Sequence, residues 1–135
     1  MKRWMLVGGL VSALAGCAST PGGLAQPENE ITFEVPMGYQ EVLRNIAAGT
    51  RECAPVQLLP LGQQINDVQH YPDMRQGRIT MGASGVGTQI YQVIDVLETQ
   101  PGRTKVSVFA KNGRARDTFS ARARRWAEGD MACTA

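Results

Sequence analysis

Residues 89–98 constrain the fold more than any other stretch of the chain. Ile90, Tyr91, Val93, Ile94, Val96 and Leu97 set β-branched, aromatic and aliphatic side chains at both parities of the run. Successive side chains of a strand point to opposite faces, so this strand has two apolar faces and belongs at the centre of a sheet. Its neighbours in sequence supply the rest of that sheet. Residues 68–71 and 78–83 form hairpin partners around Pro72-Asp73 and Gln76-Gly77, and residues 104–110 return after the Pro101-Gly102 turn. Near the start of the fold, Ile31, Phe33 and Val35 alternate with Thr32 and Glu34, giving a short strand with one apolar face. Residues 56–61 are apolar but broken by Pro60, which predicts an edge strand or an irregular segment.

Two stretches change period from two to between three and four. Across residues 39–53, Tyr39, Val42, Leu43 and Ile46 fall on one side while Gln40, Glu41, Arg44 and Asn45 take the other, which predicts an amphipathic helix. Cys53 ends its apolar stripe, and Pro55 prevents the helix from continuing. Residues 114–128 predict a second helix in which Phe119, Ala123 and Trp126 share a face, with Gly129 as the stop. The order strand, helix, run of strands, helix predicts an α+β two-layer sandwich, an antiparallel sheet of four to five strands with both helices on one face.

The first residues are of another kind. Lys2 and Arg3 precede an apolar run from Trp4 to Ala15, and small residues then lead to Cys17. A basic segment, an apolar core and a small-residue cleavage region make a secretory signal peptide over 1–16. A spanning helix needs about 20 apolar residues, and this run falls well short. Leu14-Ala15-Gly16-Cys17 resembles a lipobox, the processing site of bacterial lipoproteins. That resemblance implies Cys17 as the first mature residue, diacylated on sulfur and acylated on nitrogen. It also implies a Gram-negative outer-membrane destination, since Ala18 stands where aspartate would signal inner-membrane retention. Residues 17–30 contain Pro21, Gly22, Gly23 and Pro27 with Leu24 as the one sizeable apolar group, a composition that predicts a flexible tether with a reach of about 20 Å. The folded domain is then expected over 31–135. Its layout resembles that of small envelope lipoproteins whose α+β domains serve as accessory or assembly modules.

Removal of 1–16 leaves 119 residues, enough for one domain with a real core. Three cysteines are present, and lipidation would use Cys17. In an exported chain the remaining pair, Cys53 and Cys133, predicts a structural disulfide. Twelve basic and twelve acidic residues make the mature chain formally neutral, which argues against a general nucleic-acid binder. Their distribution is uneven: 17–100 carry a balance of −5 and 101–135 a balance of +5. Arg114, Arg116, Arg122, Arg124 and Arg125 concentrate that excess on the second helix. Guanidinium groups bind phosphates and carboxylates bidentately, so this cluster is a candidate for docking to anionic lipid or to an acidic envelope protein. A solvated helix face is its simpler reading.

Signs of catalysis are sparse. The glycine-rich stretch 82–88 lies between strands and contains no lysine, unlike a phosphate-cradling loop. His70, the one histidine, has no metal-ligating partner in sequence, and Ser84 lacks a nucleophile-elbow setting. Asp67, Asp73 and Glu98 form no pair at a motif spacing. Asp95, an acid inside the most apolar strand, is expected to face water or to pair with a C-terminal arginine. No metal, cofactor or enzymatic activity is expected. The sequence points instead to a membrane-anchored binding or accessory module, with a small-ligand or lipid carrier using a cleft between sheet and helices as the alternative.

Overall fold

The two-faced strand does become the middle of a sheet. In the computed structural model, which describes residues 19–53 and 62–135, the strands are β1 (Glu30–Val35), β2 (Gln63–Tyr71), β3 (Gln76–Gly85), β4 (Gly87–Gln100) and β5 (Arg103–Phe109), and the helices are α1 (Pro21–Leu24), α2 (Tyr39–Glu52) and α3 (Gly113–Ala127). The strands form one sheet in the order β1-β5-β4-β3-β2, with every pairing antiparallel. This is the expected α+β architecture with five strands, and β4 is third of the five. The expected signal peptide, Cys17 and the segment 56–61 lie outside the described residues. Among the described residues no helix is long and apolar enough to cross a membrane.

Register explains which side of the sheet the helices cover. Residues directly opposite one another share a face. One row across all five strands is Ile31, Val108, Ile94, Ile79 and Val68, and the next is Phe33, Val106, Val96, Gly77 and His70. The buried side chains of these rows, Val108, Ile94, Ile79, Phe33, Val106 and Val96, meet Val42, Leu43, Ile46 and Ala47 of α2 and Ala123, Trp126 and Ala127 of α3 in a single core. Both helices therefore lie on one face, as their apolar stripes require.

The helices touch closely because of one glycine. A Cβ at Gly49 of α2 would come within 2.3 Å of the Trp126 ring of α3. The missing side chain is the notch into which the indole fits. Asn45 Nδ2 donates to the Ala127 carbonyl at 3.2 Å beside it. Beyond α3, Gly129 at φ +91° turns the chain back, and the Trp126 indole N–H donates to the Ala132 carbonyl at 3.0 Å. This return brings Cys133 onto Cys53 with the Cα atoms 5.2 Å apart, and the expected disulfide is formed.

The opposite face is where the structure departs from expectation. The stretch with a tether's composition is packed from Pro21 onward. Thr20 caps α1 by accepting the Gly23 N–H at 3.1 Å, and Leu24 is 0% exposed. It sits in a second apolar cluster with Ile90 and Val93 of β4 and Phe109 of β5. Asn29, also buried, donates its amide to the Leu24 carbonyl at 2.9 Å, and a short 3-10 turn at Pro27–Asn29 leads into β1. Burying one leucine contributes about 2 kcal/mol, enough to hold a segment whose turns are already set by two prolines. Residues 20–30 are thus packed on the sheet rather than forming a flexible tether.

Two outcomes test this packing. Reduction of the disulfide, or Cys53→Ser, removes a cross-link spanning 80 residues and should lower unfolding stability by about 4 kcal/mol. Urea denaturation with and without reductant measures it, and an unchanged midpoint would remove the bond from the fold's support. Gly49→Ala forces a methyl group into the indole and should cost about 1–3 kcal/mol. A mutant melting at the wild-type temperature would mean that the notch is not tight.

Candidate functional site

The outer face of the sheet, opposite α2 and α3, changes character along its length. Leu24 covers the row that contains Phe109 and Val93. The next row, Thr32, Ser107, Asp95, Arg78 and Gln69, is polar throughout. This explains the acid in the most apolar strand: Asp95 stands opposite Arg78 of β3 and accepts two hydrogen bonds from its guanidinium at 2.6 and 2.7 Å. The partner expected from the C-terminal helix is supplied instead by the adjacent strand. Each side chain is 31% exposed. The hydrogen bond to Asp95 raises the Arg78 pKa above its ordinary value, with burial opposing it. The pair lies in an open groove of about 600 Å³, with Tyr71, Met74 and Leu97 also along it.

The candidate arginines of α3 do not share one surface. Helix geometry spreads them, and the chain uses several itself. Arg116 donates to the Glu28 carbonyl at 3.1 Å and fastens the N-terminal segment. The Arg124 guanidinium stands 4.7 Å over the Phe33 ring. Arg125 pairs with Asp130 and donates to the Thr134 carbonyl and hydroxyl, so it organises the C-terminal tail. Arg114 is exposed near the start of α3. Arg122 turns toward the sheet.

The remaining sequence candidates are scattered. His70 shares a hydrogen bond of 3.1 Å with the Tyr39 hydroxyl at the β2 edge. Glu98 pairs with Arg75 at 3.0 Å, while Asp67 and Asp73 are exposed. Most of the glycine-rich stretch is strand, with Ser84 in β3 and the β3–β4 turn at Val86. Among the described residues no group of three or more His, Cys, Asp or Glu side chains gathers where a metal could bind.

The second concave feature is a cleft of about 400 Å³ between sheet and helices, beside the disulfide. It exists because of an irregularity in β4. Met81 pairs with Gln92 and Gly82 with Ile90, which leaves Tyr91 as an extra residue. A bulge of this kind re-aims side chains. Here Tyr91 and Gln92 both reach the helix side, and the Tyr91 ring lies 6.4 Å from that of Phe119 on α3. Phe119, Trp126 and Met81 give the cleft apolar walls, and Arg122 is its one charged lining group among the described residues.

Gln92 is 2% exposed. Its Nε2 and the Arg122 Nε are both buried, with no hydrogen-bond partner among the described residues. Leaving a buried donor unpaired costs roughly 1–3 kcal/mol, and two such donors line this single cleft. Sequence reasoning passed over Gln92. The available signal was an amide standing in the otherwise apolar run from Ile90 to Ile94. No protein-family model, curated protein or solved structure matches this chain.

The Arg125–Asp130 staple has a pH signature. The Ala132 N–H, followed by Arg125, lowers the Asp130 pKa below its usual value. A carboxylate depressed in the folded state contributes stability above its unfolded pKa of about 4 and loses it as pH falls through the folded value. The protection factor of the Ala132 amide, its exchange relative to an unstructured amide at the same pH, should therefore hold at neutral pH and fall only below about pH 4. Asp130→Asn should weaken that protection at neutral pH. Equal protection in variant and wild type would show that the tail is held without this staple.

Proposed function

We propose that this chain is a lipid-anchored envelope protein whose single domain works by binding. The signal pattern and the lipobox resemblance at Cys17 support the anchor, and Ala18 supports outer-membrane residence. The observation that carries the reading is the position of α1. Helix α1 starts at Pro21, four residues after Cys17, and an extended chain spans at most about 3.6 Å per residue. An acyl group on Cys17 would therefore hold the domain within roughly 14 Å of the bilayer. Such a module suits partners that come to the membrane surface. The groove around Arg78 and Asp95 offers an envelope protein a polar floor with Tyr71, Met74 and Leu97 at hand.

A second reading, carriage of a small ligand in the cleft between sheet and helices, is favoured by the unpaired donors of Gln92 and Arg122. Both readings share the anchor. Cys17→Ala should shift the protein from the membrane pellet to the soluble fraction and abolish the acyl mass. A variant that still pellets and carries acyl mass would end the anchored reading.

A further inference from the structure

We infer that the cleft beside the disulfide is a binding site for a small amphipathic anion, an apolar body bearing one carboxylate. The inference rests on the carrier reading and gives that site a ligand class. Its first support is shape. The cleft holds about 400 Å³, within the roughly 300–1,000 Å³ of small-molecule sites. Its walls come from four elements and the cross-link: Met81 of β3, Tyr91 of β4, Thr50 of α2, Phe119 and Trp126 of α3, and Cys53 and Cys133. This lining suits an alkyl or aryl group.

The second support is the polar chemistry. Gln92 Nε2 and Arg122 Nε are both donors, and neither has an acceptor among the described residues. A neutral apolar ligand would leave them unpaired. An ammonium ligand would bring more donors and a repelling charge. A carboxylate brings acceptor lone pairs and the charge opposite to Arg122, and no aspartate or glutamate is among the described lining residues to compete for the guanidinium.

The third support is the support of the site itself. Gln92 is fixed in the sheet by its pairing with Met81 after the bulge. Thr50, at the cleft wall, is held by donating to the Ala47 carbonyl at 2.9 Å and accepting from Asn66 at 3.3 Å. The disulfide fixes α2 relative to the tail. A site built on such elements is largely formed before its ligand arrives.

The test uses octanoate, octanol and octylamine, which share one chain and differ in the head group. The chain has two tryptophans, Trp4 and Trp126. In full-length protein carrying Trp4→Phe and Cys17→Ala, emission reports on Trp126 at the cleft wall. Octanoate should shift that emission saturably, with octanol roughly tenfold weaker, since a charge-assisted hydrogen bond is worth about that factor or more, and with octylamine weaker still. Arg122→Gln and Gln92→Leu should each weaken octanoate roughly tenfold and change octanol far less, with thermal unfolding confirming that each variant folds. Arg122→Lys, which keeps the charge and removes Nε, should lie between wild type and Arg122→Gln, and it serves if Gln does not fold. Equal affinity for octanoate and octanol would overturn the anionic assignment while leaving the carrier reading intact. Octanoate binding undiminished in both variants would place the ligand elsewhere. Saturable binding of neither octanoate nor octanol would overturn the carrier reading together with the inference.

Discussion

The meeting of Trp126 with Gly49 is the contact on which the helical layer depends. The indole fills the notch left by an absent side chain, and its N–H fixes the Ala132 carbonyl. That one ring therefore sets the spacing of α2 and α3 and aims the tail so that Cys133 reaches Cys53. A bond that demands Cα atoms within about 7 Å thus rests on a noncovalent fit made several residues earlier. The Arg125 contacts to Asp130 and Thr134 hold the same tail from its other side. The cleft inherits this arrangement, since Trp126 and both cysteines form part of its wall.

Much of this layout was legible because periodicity is a strong signal where one face is buried. The stripe Tyr39, Val42, Leu43 and Ile46 gave α2 to within a residue, and the two-faced run at 89–98 gave the central strand. The same run also held a clue to the segment misread as a tether. A sheet whose middle strand is apolar on both sides needs cover on both sides, and two helices on one face leave the other bare. Leu24, capped by Thr20 and fixed by Pro21, is that cover. Composition undervalued it because a single well-placed leucine outweighs the glycines around it.

Other features were hidden for a definite reason: they depend on register. Asp95 finds Arg78 only once β3 and β4 are aligned, and a shift of one residue would send it to the opposite face. The bulge at Tyr91 does something similar on a smaller scale. It brings Tyr91 to the helix side beside Gln92 at the cleft, and nothing in local composition announces it. The arginines of α3 were visible as a group, yet their fates were not, because Phe33, Glu28 and Asp130 come from other parts of the chain.

The disulfide also divides the chain topologically. It closes residues 53–133 into a covalent ring that contains β2, β3, β4, β5 and α3, while α1, β1 and α2 stand outside it. Tension applied between the two ends of the molecule crosses the ring through the sulfur atoms and never reaches the strands within. Under such end-to-end tension the chain could be stripped of β1 and α2, but the four-stranded remainder could not be drawn out into a thread. A protease that nicks the ring once gains equally little, because both pieces stay parts of one molecule.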